Sequence, residues 1–128
     1  MGAEDIAAIR SRRNLPRRFE DLARYSERVI RCTAQLSKAE FLRDHETIAA
    51  TERLLSVIGD LVDTLDGVER QLCSGADLMP FNGLGDYLIH GYDAVDPHKV
   101  WSIARNDVPL LKAAAERTLY EHFPEATV

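Results

Sequence analysis

Core-facing residues recur at every third or fourth position along most of this chain, and this helical spacing constrains the fold more than any other feature. One such segment starts near Pro16, and a second extends from about Asp44 to Gln71. The first segment carries Phe19, Leu22, Ser26, Val29, Ile30, Thr33 and Leu36 at these positions. The expected apolar face of the second contains Ile48, Leu54, Leu55, Ile58, Leu61, Val62, Leu65 and Val68. No segment shows the strict alternation of a half-buried strand. We therefore expect an all-α protein, an antiparallel four-helix bundle with additional short helices.

Local signals predict where several helices begin. Ser37 followed by Glu40 has the spacing of a capping box and predicts a short helix after it. Asp96 before Pro97 predicts a further helix start, because proline suits the first helical turn. Asn106 or Asp107 is expected to cap the last helix. The inner face of that helix is expected to contain Val108, Leu111, Ala115, Thr118 and Leu119.

Glycine and proline indicate where the helices stop or approach one another. Residues 73–83 contain Gly75, Pro80 and Gly83, and this composition predicts a loop. Gly59 falls in the middle of the long predicted helix, where a missing side chain would allow another helix to approach closely.

Length and charge limit the class of protein. A chain of 128 residues is expected to form one domain, 1–128, with a basic N-terminal arm at 1–15. The arginines near the N-terminus are Arg10, Arg12, Arg13, Arg17 and Arg18. We favour a solvated arm over an electrostatic handle for RNA or an acidic partner. The net charge of −5 argues against a broad nucleic-acid-coating surface, but it permits a small RNA-cutting site with local positive charge.

No apolar run approaches the roughly 20 residues that span a bilayer, so no membrane association is expected. The first 16 residues lack the apolar region of a secretory signal. Cys32 and Cys73 are far apart and lack the spacing of a zinc site, which favours reduced thiols in a cytoplasmic protein.

The segment from Gly85 to Asp93 contains the strongest candidate for chemistry. Asp86 and His90 stand four residues apart, so on a helix they share one face. A carboxylate beside an imidazole is a common arrangement in a general acid–base catalyst. Tyr92 follows two residues later, and the motif contains no arginine that would hold an anion.

Structural explanations compete with each of these assignments. A single helical histidine is more often a surface or core residue than a catalyst. Asp86 also suits the start of a helix through the helix dipole, and Tyr92 is also suited to packing with its hydroxyl on a loop carbonyl. The other histidines, His45, His98 and His122, show no paired ligand spacing. We expect no metal site and no cofactor.

Several short segments with distinctive residues follow one another along roughly residues 19–119. The upstream segments are Glu40-Phe41-Leu42-Arg43-Asp44, Ala50-Thr51-Glu52-Arg53 and Ser56-Val57-Ile58-Gly59-Asp60. The downstream segments are Leu88-Ile89-His90-Gly91-Tyr92, Val95-Asp96, Val100-Trp101-Ser102-Ile103 and Asn106-Asp107-Val108-Pro109-Leu110-Leu111. In order and spacing these segments resemble the HepT-like HEPN family. Its corresponding elements are E-F-L-x-D, A-V-x-R, I-G-E-A, R-N-x-L-x-H-x-Y, V-D, V-W and D-L-P-x-L. Asp60 stands where the family often has glutamate.

This resemblance implies a HEPN-type helical bundle that acts as a homodimeric, metal-independent endoribonuclease on an RNA substrate. Many members are toxins encoded beside a minimal nucleotidyltransferase antitoxin. The family's catalytic histidine corresponds to His90, and its preceding polar residue corresponds to Asp86. The tyrosine that the partner nucleotidyltransferase modifies with AMP corresponds to Tyr92. The family arginine corresponds to Gly85, which is a clear departure.

Three explanations of Gly85 remain open. The chain is a degraded relative that binds a nucleotidyltransferase without cutting RNA, or another arginine substitutes, such as Arg105 on the following helix or an N-terminal arginine that reaches across a dimer. Alternatively, glycine deliberately replaces a natural arginine to avoid toxicity. The primary hypothesis is a HepT-like toxin that cleaves RNA, with an activity that is reduced or lost because Gly85 replaces the family arginine. The alternative is a catalytically degraded binding module, and a structural helical domain with vestigial motif residues is a third class.

Overall fold

Two helices of 19 residues form the frame of the fold, α1 (Leu15–Thr33) and α3 (His45–Asp63), with the short α2 (Lys38–Arg43) between them. The computed structural model describes residues 8, 12 and 14–126, and these residues contain helices and turns and no strand. The all-α prediction is therefore confirmed. The later α-helices are α4 (Gly67–Leu72), α5 (Leu84–His90), α6 (Pro97–Ser102) and α7 (Val108–His122). Short 3-10 turns occupy Met79–Phe81, Tyr92–Ala94 and Pro124–Ala126.

The core lies where α1 packs against both α3 and α7. The predicted inner face of α1 is largely correct, since Phe19, Leu22 and Val29 are fully buried. Ile30 and Leu36 are only half-buried. All five predicted inner residues of the last helix are buried. Burial of such apolar side chains, at about 25 cal/mol per Å² of area removed from water, is the main force that holds these helices together.

The predicted capping box at Ser37 is confirmed. The Ser37 side chain accepts a hydrogen bond from the Glu40 backbone N–H, and the Glu40 carboxylate accepts one from the Ser37 N–H. The Asp96 carboxylate likewise caps α6 by accepting from the His98 N–H at 2.9 Å. The predicted loop at 73–83 is also present, and it contains the short turn Met79–Phe81.

The long helix predicted from Asp44 to Gln71 is wrong at its centre, because α3 ends at Asp63 and α4 starts at Gly67. A second capping box causes the break. The Asp66 carboxylate accepts from the Glu69 N–H, while the Glu69 carboxylate accepts from the Asp66 N–H. One consequence is that Val68, placed on the buried face by the periodicity, is 38% exposed.

The expected cap before the last helix is also wrong. Helical backbone continues from Pro97 to His122 through a π-helical segment at Ile103–Asp107. Asp107 has a helical conformation, and its side chain makes no capping hydrogen bond. A π-helical segment accommodates one extra residue, so the chain changes register without a loop. Trp101 is half-buried, with its ring centroid 5.1 Å from that of Phe41.

Part of the basic N-terminal cluster is bound within the protein. Arg18 donates to both oxygens of the buried Glu69 carboxylate, at 3.3 and 3.2 Å. Arg12 lies 2.9 Å from the same carboxylate and also donates to Asp66. Through these carboxylates Arg12 and Arg18 anchor the start of α1 to α4. Arg10 and Arg13, and most of the predicted arm 1–15, lie outside the described residues.

Gly59 confirms the prediction of a close helix approach. A Cβ atom at Gly59 would lie 2.7 Å from the backbone nitrogen of Gly85 and 3.1 Å from the Leu84 Cβ. The start of α5 therefore rests directly on the backbone of α3, and this contact positions the motif. No helix within the described residues is long and apolar enough to cross a membrane.

Candidate active site

Helix α5 is short, and the turn before it sets its direction. Gly83 precedes the helix with φ +66°, a left-handed conformation that glycine adopts without steric cost. Its backbone N–H donates to the Asp63 carboxylate at 3.3 Å, which joins this turn to the end of α3. Leu84 and Gly85 are buried against α3, so the next turn of α5 presents its polar residues to solvent.

Asp86 and His90 lie on the same exposed face of α5, as predicted. The His90 Nε2 is 3.6 Å from the Asp86 Oδ1, just beyond hydrogen-bonding distance. The side chains are 69% and 83% exposed, so this pair contributes little to stability. Both groups are accessible to a ligand, and a catalytic hydrogen bond that is loose without substrate often shortens when substrate binds. Asp86 is also in the first turn of α5, where the helix dipole favours a carboxylate.

Gly85 is buried in the contact between α3 and α5. A Cβ atom at this position would collide with a carboxylate oxygen of Asp60 and lie 3.0 Å from the Ser56 carbonyl oxygen. The carboxylate is the far end of a side chain and can rotate away, but the backbone carbonyl can yield only by a few tenths of an ångström. The position that corresponds to the family arginine is thus closed over by Asp60, which places Asp60 beside the motif.

The arginines considered as substitutes are bound elsewhere in this chain. Arg105 donates from Nη1 to the Thr33 carbonyl oxygen at 3.2 Å, and its guanidinium carbon lies 5.2 Å from the Trp101 ring centroid. Arg12 and Arg18 are held by the carboxylates of α4 and its cap. None of these three guanidinium groups replaces the missing arginine within this chain.

Tyr92 does not pack as a structural tyrosine would. Its side chain is 82% exposed, and its backbone has φ +45°. An aromatic residue in this left-handed region costs roughly 1–2 kcal/mol. The neighbouring Gly91 leaves no room for a side chain, because a Cβ atom there would collide with the Tyr87 carbonyl oxygen. The turn after α5 is therefore tight and turns the phenol of Tyr92 outward.

Tyr87 holds this turn in place, a role that no sequence pattern indicated. Its hydroxyl accepts a hydrogen bond from the Asp96 N–H at 2.9 Å and donates to the Ala94 carbonyl at 3.4 Å. The Lys99 ammonium lies 4.4 Å from the centroid of its ring. The hydroxyl contact to a loop carbonyl that was considered for Tyr92 is thus made by Tyr87. No local sequence signal distinguishes the two tyrosines, since the contact spans seven residues and depends on how the chain turns.

No group of three or more histidine, cysteine or acidic side chains in the described part of the chain is arranged to hold a metal ion. Cys73 is buried and Cys32 is half-buried, and neither forms a disulfide in the structure. The polar side chains of the motif at this end of α5 are the carboxylate of Asp86, the imidazole of His90 and the phenol of Tyr92.

Comparison with known proteins identifies related sequences. The family model described as Ribonuclease HepT-like matches residues 22–118. Three proteins of Methanocaldococcus jannaschii are similar in sequence. "Putative RNase MJ1216" is 28% identical over 77% of this chain and 82% of its own length. "Putative RNase MJ0125" is 28% identical over 77% and 85%, and "Putative RNase MJ1380" is 26% identical over 83% and 97%. No solved structure matches significantly. The family match covers more than half of the chain and includes the whole of α5, and the chain therefore belongs to the HepT-like HEPN family of ribonucleases.

Proposed function

We propose that this protein is the RNA-cleaving toxin of a pair whose antitoxin is a minimal nucleotidyltransferase. The observation that carries the proposal is the exposed group of Asp86, His90 and Tyr92 at one end of α5, in a chain of a ribonuclease family. The active form is a homodimer in the cytoplasm, in which the two copies of His90 face a shared cleft. The pairing of two sites would concentrate the few positive groups where the RNA enters.

His90 is the general acid–base group of the proposed reaction. Its imidazole accepts the proton of a ribose 2′-OH, and the oxygen attacks the adjacent phosphorus. The bond from phosphorus to the 5′-oxygen breaks, which leaves a 2′,3′-cyclic phosphate, and the departing 5′-oxygen takes up a proton from water. Asp86, 3.6 Å from the ring, orients the imidazole once the contact shortens. Histidine suits this role because its ordinary pKa lies near neutral pH.

The missing arginine determines how fast this reaction is. A guanidinium group normally binds the phosphate through two charge-assisted hydrogen bonds and stabilises the charge of the transition state. Loss of one such group costs about 100- to 1000-fold in rate. Gly85 provides no replacement, and both Asp60 and Asp86 place negative charge nearby. We therefore expect slow cleavage by the chain as it stands.

Tyr92 is the proposed site at which the partner attaches AMP. In that step the phenol oxygen bonds to the α-phosphorus of ATP, pyrophosphate leaves, and the phenol proton passes to solvent or to a base of the partner. The 82% exposure of Tyr92 and its outward turn support this role, because the phenol must enter another enzyme's active site. AMP at this position adds a negative phosphate two residues from His90 and would repel RNA.

Cleavage of a labelled single-stranded RNA by purified protein tests the catalytic role. We expect slow cleavage that His90→Ala abolishes, and that Gly85→Arg accelerates about 100-fold or more. Because a side chain at Gly85 requires Asp60 to move, the double variant Gly85→Arg with Asp60→Ala is measured beside the single variant. His98→Ala is the matched control, since His98 is exposed and lies outside the motif. If His90→Ala left cleavage unchanged both in the wild type and in the Gly85→Arg variant, the catalytic role would be refuted.

The second candidate is a binding module that partners the nucleotidyltransferase without cutting RNA. Its specific support is the burial of Gly85. Helices α3 and α5 pack so closely there that a side chain at this position would collide with Asp60. Co-expression with the proposed minimal nucleotidyltransferase partner, followed by intact-mass measurement, tests Tyr92 separately from cleavage. We expect a mass increase of one AMP that Tyr92→Phe abolishes and Tyr120→Phe, a control at another exposed tyrosine, retains. Modification without any cleavage would favour the binding module.

A further inference from the structure

A groove between α1 and α3 is lined by three arginines and lies apart from the Asp86–His90 pair. Its volume is about 470 Å³. Arg28 and Arg31 of α1 face Arg53 of α3 across it, over a surface formed by Cys32, Ala50 and Leu54. The chain as a whole has a net charge of −5, whereas the groove is locally positive because three guanidinium groups line it.

The positive charge extends along α1. Arg17, Arg24, Arg28 and Arg31 are spaced so that they share one face of the helix, over about 21 Å of its length. Two of them are paired locally, since Arg24 bonds to Asp21 at 2.7 Å and Arg31 bonds to Glu27 at 2.9 Å.

Two guanidinium groups of the groove have no such pairing. Among the described residues, neither Arg28 nor Arg53 has a carboxylate within 4.0 Å. The guanidinium carbon of Arg28 instead lies 5.3 Å from the centroid of the Tyr25 ring. Arg28 and Arg53 are both exposed, so each is available to an external anion.

Helix α3 connects this groove to the candidate active site. Arg53 and Asp60 are seven residues apart, so they lie on the same face of α3 and about 10 Å from each other along its axis. Both are exposed, and the Asp60 carboxylate covers Gly85 at the start of α5. A chain of phosphates that follows the exposed face of α3 would therefore pass from the arginine groove to the helix that carries His90.

We infer that Arg28, Arg31 and Arg53 bind backbone phosphates of the RNA, a few nucleotides away from the bond that His90 cleaves. Guanidinium groups suit this ligand, because their paired donors match the oxygens of a phosphate. The apolar surface of Ala50 and Leu54 and the nearby Tyr25 ring offer contacts to sugars and bases that an acidic peptide would not need. This inference rests on the proposed action on RNA, and it accounts for RNA binding in a chain that has glycine in place of the family arginine.

The test is fluorescence anisotropy of a labelled unstructured RNA between 50 and 200 mM salt. His90→Ala is the background in every sample, so that cleavage does not interfere. Arg28→Gln with Arg53→Gln is compared with Lys38→Gln with Arg117→Gln, which removes the same charge at exposed positions outside the groove. Arg28→Lys with Arg53→Lys keeps the charge, and circular dichroism checks that all variants fold.

Loss of two phosphate contacts should reduce the slope of log affinity against log salt by about 1.4. The groove variant, Arg28→Gln with Arg53→Gln, should therefore bind RNA more weakly than the parent protein, and the ratio of the two affinities should be about sevenfold larger at 50 mM than at 200 mM salt. The lysine variant should keep most of the slope, and the Lys38 and Arg117 control should change it by less than half as much.

Other results would overturn the inference in different ways. RNA binding with an unchanged slope in the groove variant would exclude the groove and leave the action on RNA intact. If the groove variant and the control variant lost equal amounts of this slope, RNA binding would depend only on the net charge of the protein. Binding of polyglutamate but not RNA would assign the groove to an acidic protein. A parent protein that binds no RNA at any salt concentration would refute both the groove and the proposed function.

Discussion

Replacement of Gly59 by alanine tests whether the contact between α3 and α5 is as tight as the structure indicates. The added methyl carbon would lie 2.7 Å from the Gly85 backbone nitrogen, and an ordinary contact needs at least 3.4 Å. Helix α5 must therefore move by about 0.7 Å, and a backbone atom cannot rotate away as a side chain can. Overpacking of this kind costs about 1–3 kcal/mol. Alanine recovers about 1 kcal/mol through its better helix propensity. We expect a net loss of about 1 kcal/mol in the free energy of unfolding.

Gly67→Ala is the matched control, because a Cβ atom at Gly67 would meet nothing within 4 Å. This substitution should stabilise the protein by about 0.5 kcal/mol, mainly by restricting the unfolded chain. Thermal unfolding followed by circular dichroism measures both variants, and the expected shift in Tm is about −4 °C for Gly59→Ala and about +2 °C for Gly67→Ala. If Gly59→Ala stabilised the protein as much as Gly67→Ala, the close contact would be refuted.

Three further predictions concern the groups that anchor the N-terminus and the turn after α5. Burial raises the pKa of Glu69, but hydrogen bonds from Arg12, Arg18 and the Asp66 N–H outweigh burial, so that the pKa is lowered overall. Its stabilising effect is thus present above the unfolded pKa of about 4.3 and is lost as pH falls through the folded value. Glu69→Gln should cost about 1–2 kcal/mol at pH 7, and urea titrations should show this difference shrinking towards pH 3. Tyr92→Gly should raise the free energy of unfolding by about 1 kcal/mol, because it relieves the left-handed conformation, whereas a destabilised variant would contradict the strain. Tyr87→Phe should speed hydrogen exchange at the Asp96 amide without changing the exchange rates of the α3 amides. Unchanged exchange at Asp96 would exclude the hydrogen bond from this amide to the Tyr87 hydroxyl.

Much of the fold was predictable because its signals are local. The inward faces of α1 and α7 follow from three- and four-residue spacing, and the caps at Ser37 and Asp96 depend on atoms within four residues. The break before α4 carried an equally local signal in Asp66 and Glu69. Apolar spacing that continues through Gly67 concealed it. The π-helical segment had no such signal, because its extra residue is accommodated by packing against neighbouring helices.

In the candidate site, too, some features were predictable from local spacing and others were not. The shared face of Asp86 and His90 follows from their spacing of four residues on one helix, and the structure places them 3.6 Å apart. The roles proposed for them, and for Tyr92, rest on the family and await the tests above. The hydrogen bond from Tyr87 to the turn is a feature that spacing alone did not reveal.

The sequence by itself determined the helical class, most helix boundaries, the family and the face on which the motif lies, because periodicity and capping act between residues close together in the chain. Only the tertiary structure decided that Gly85 is sealed by Asp60, that Arg12 and Arg18 are held by Glu69, and that Arg28 and Arg53 face one groove. Each of these contacts joins residues about 25 or more positions apart. Their existence depends on how the helices pack against one another, and no local pattern encodes that packing.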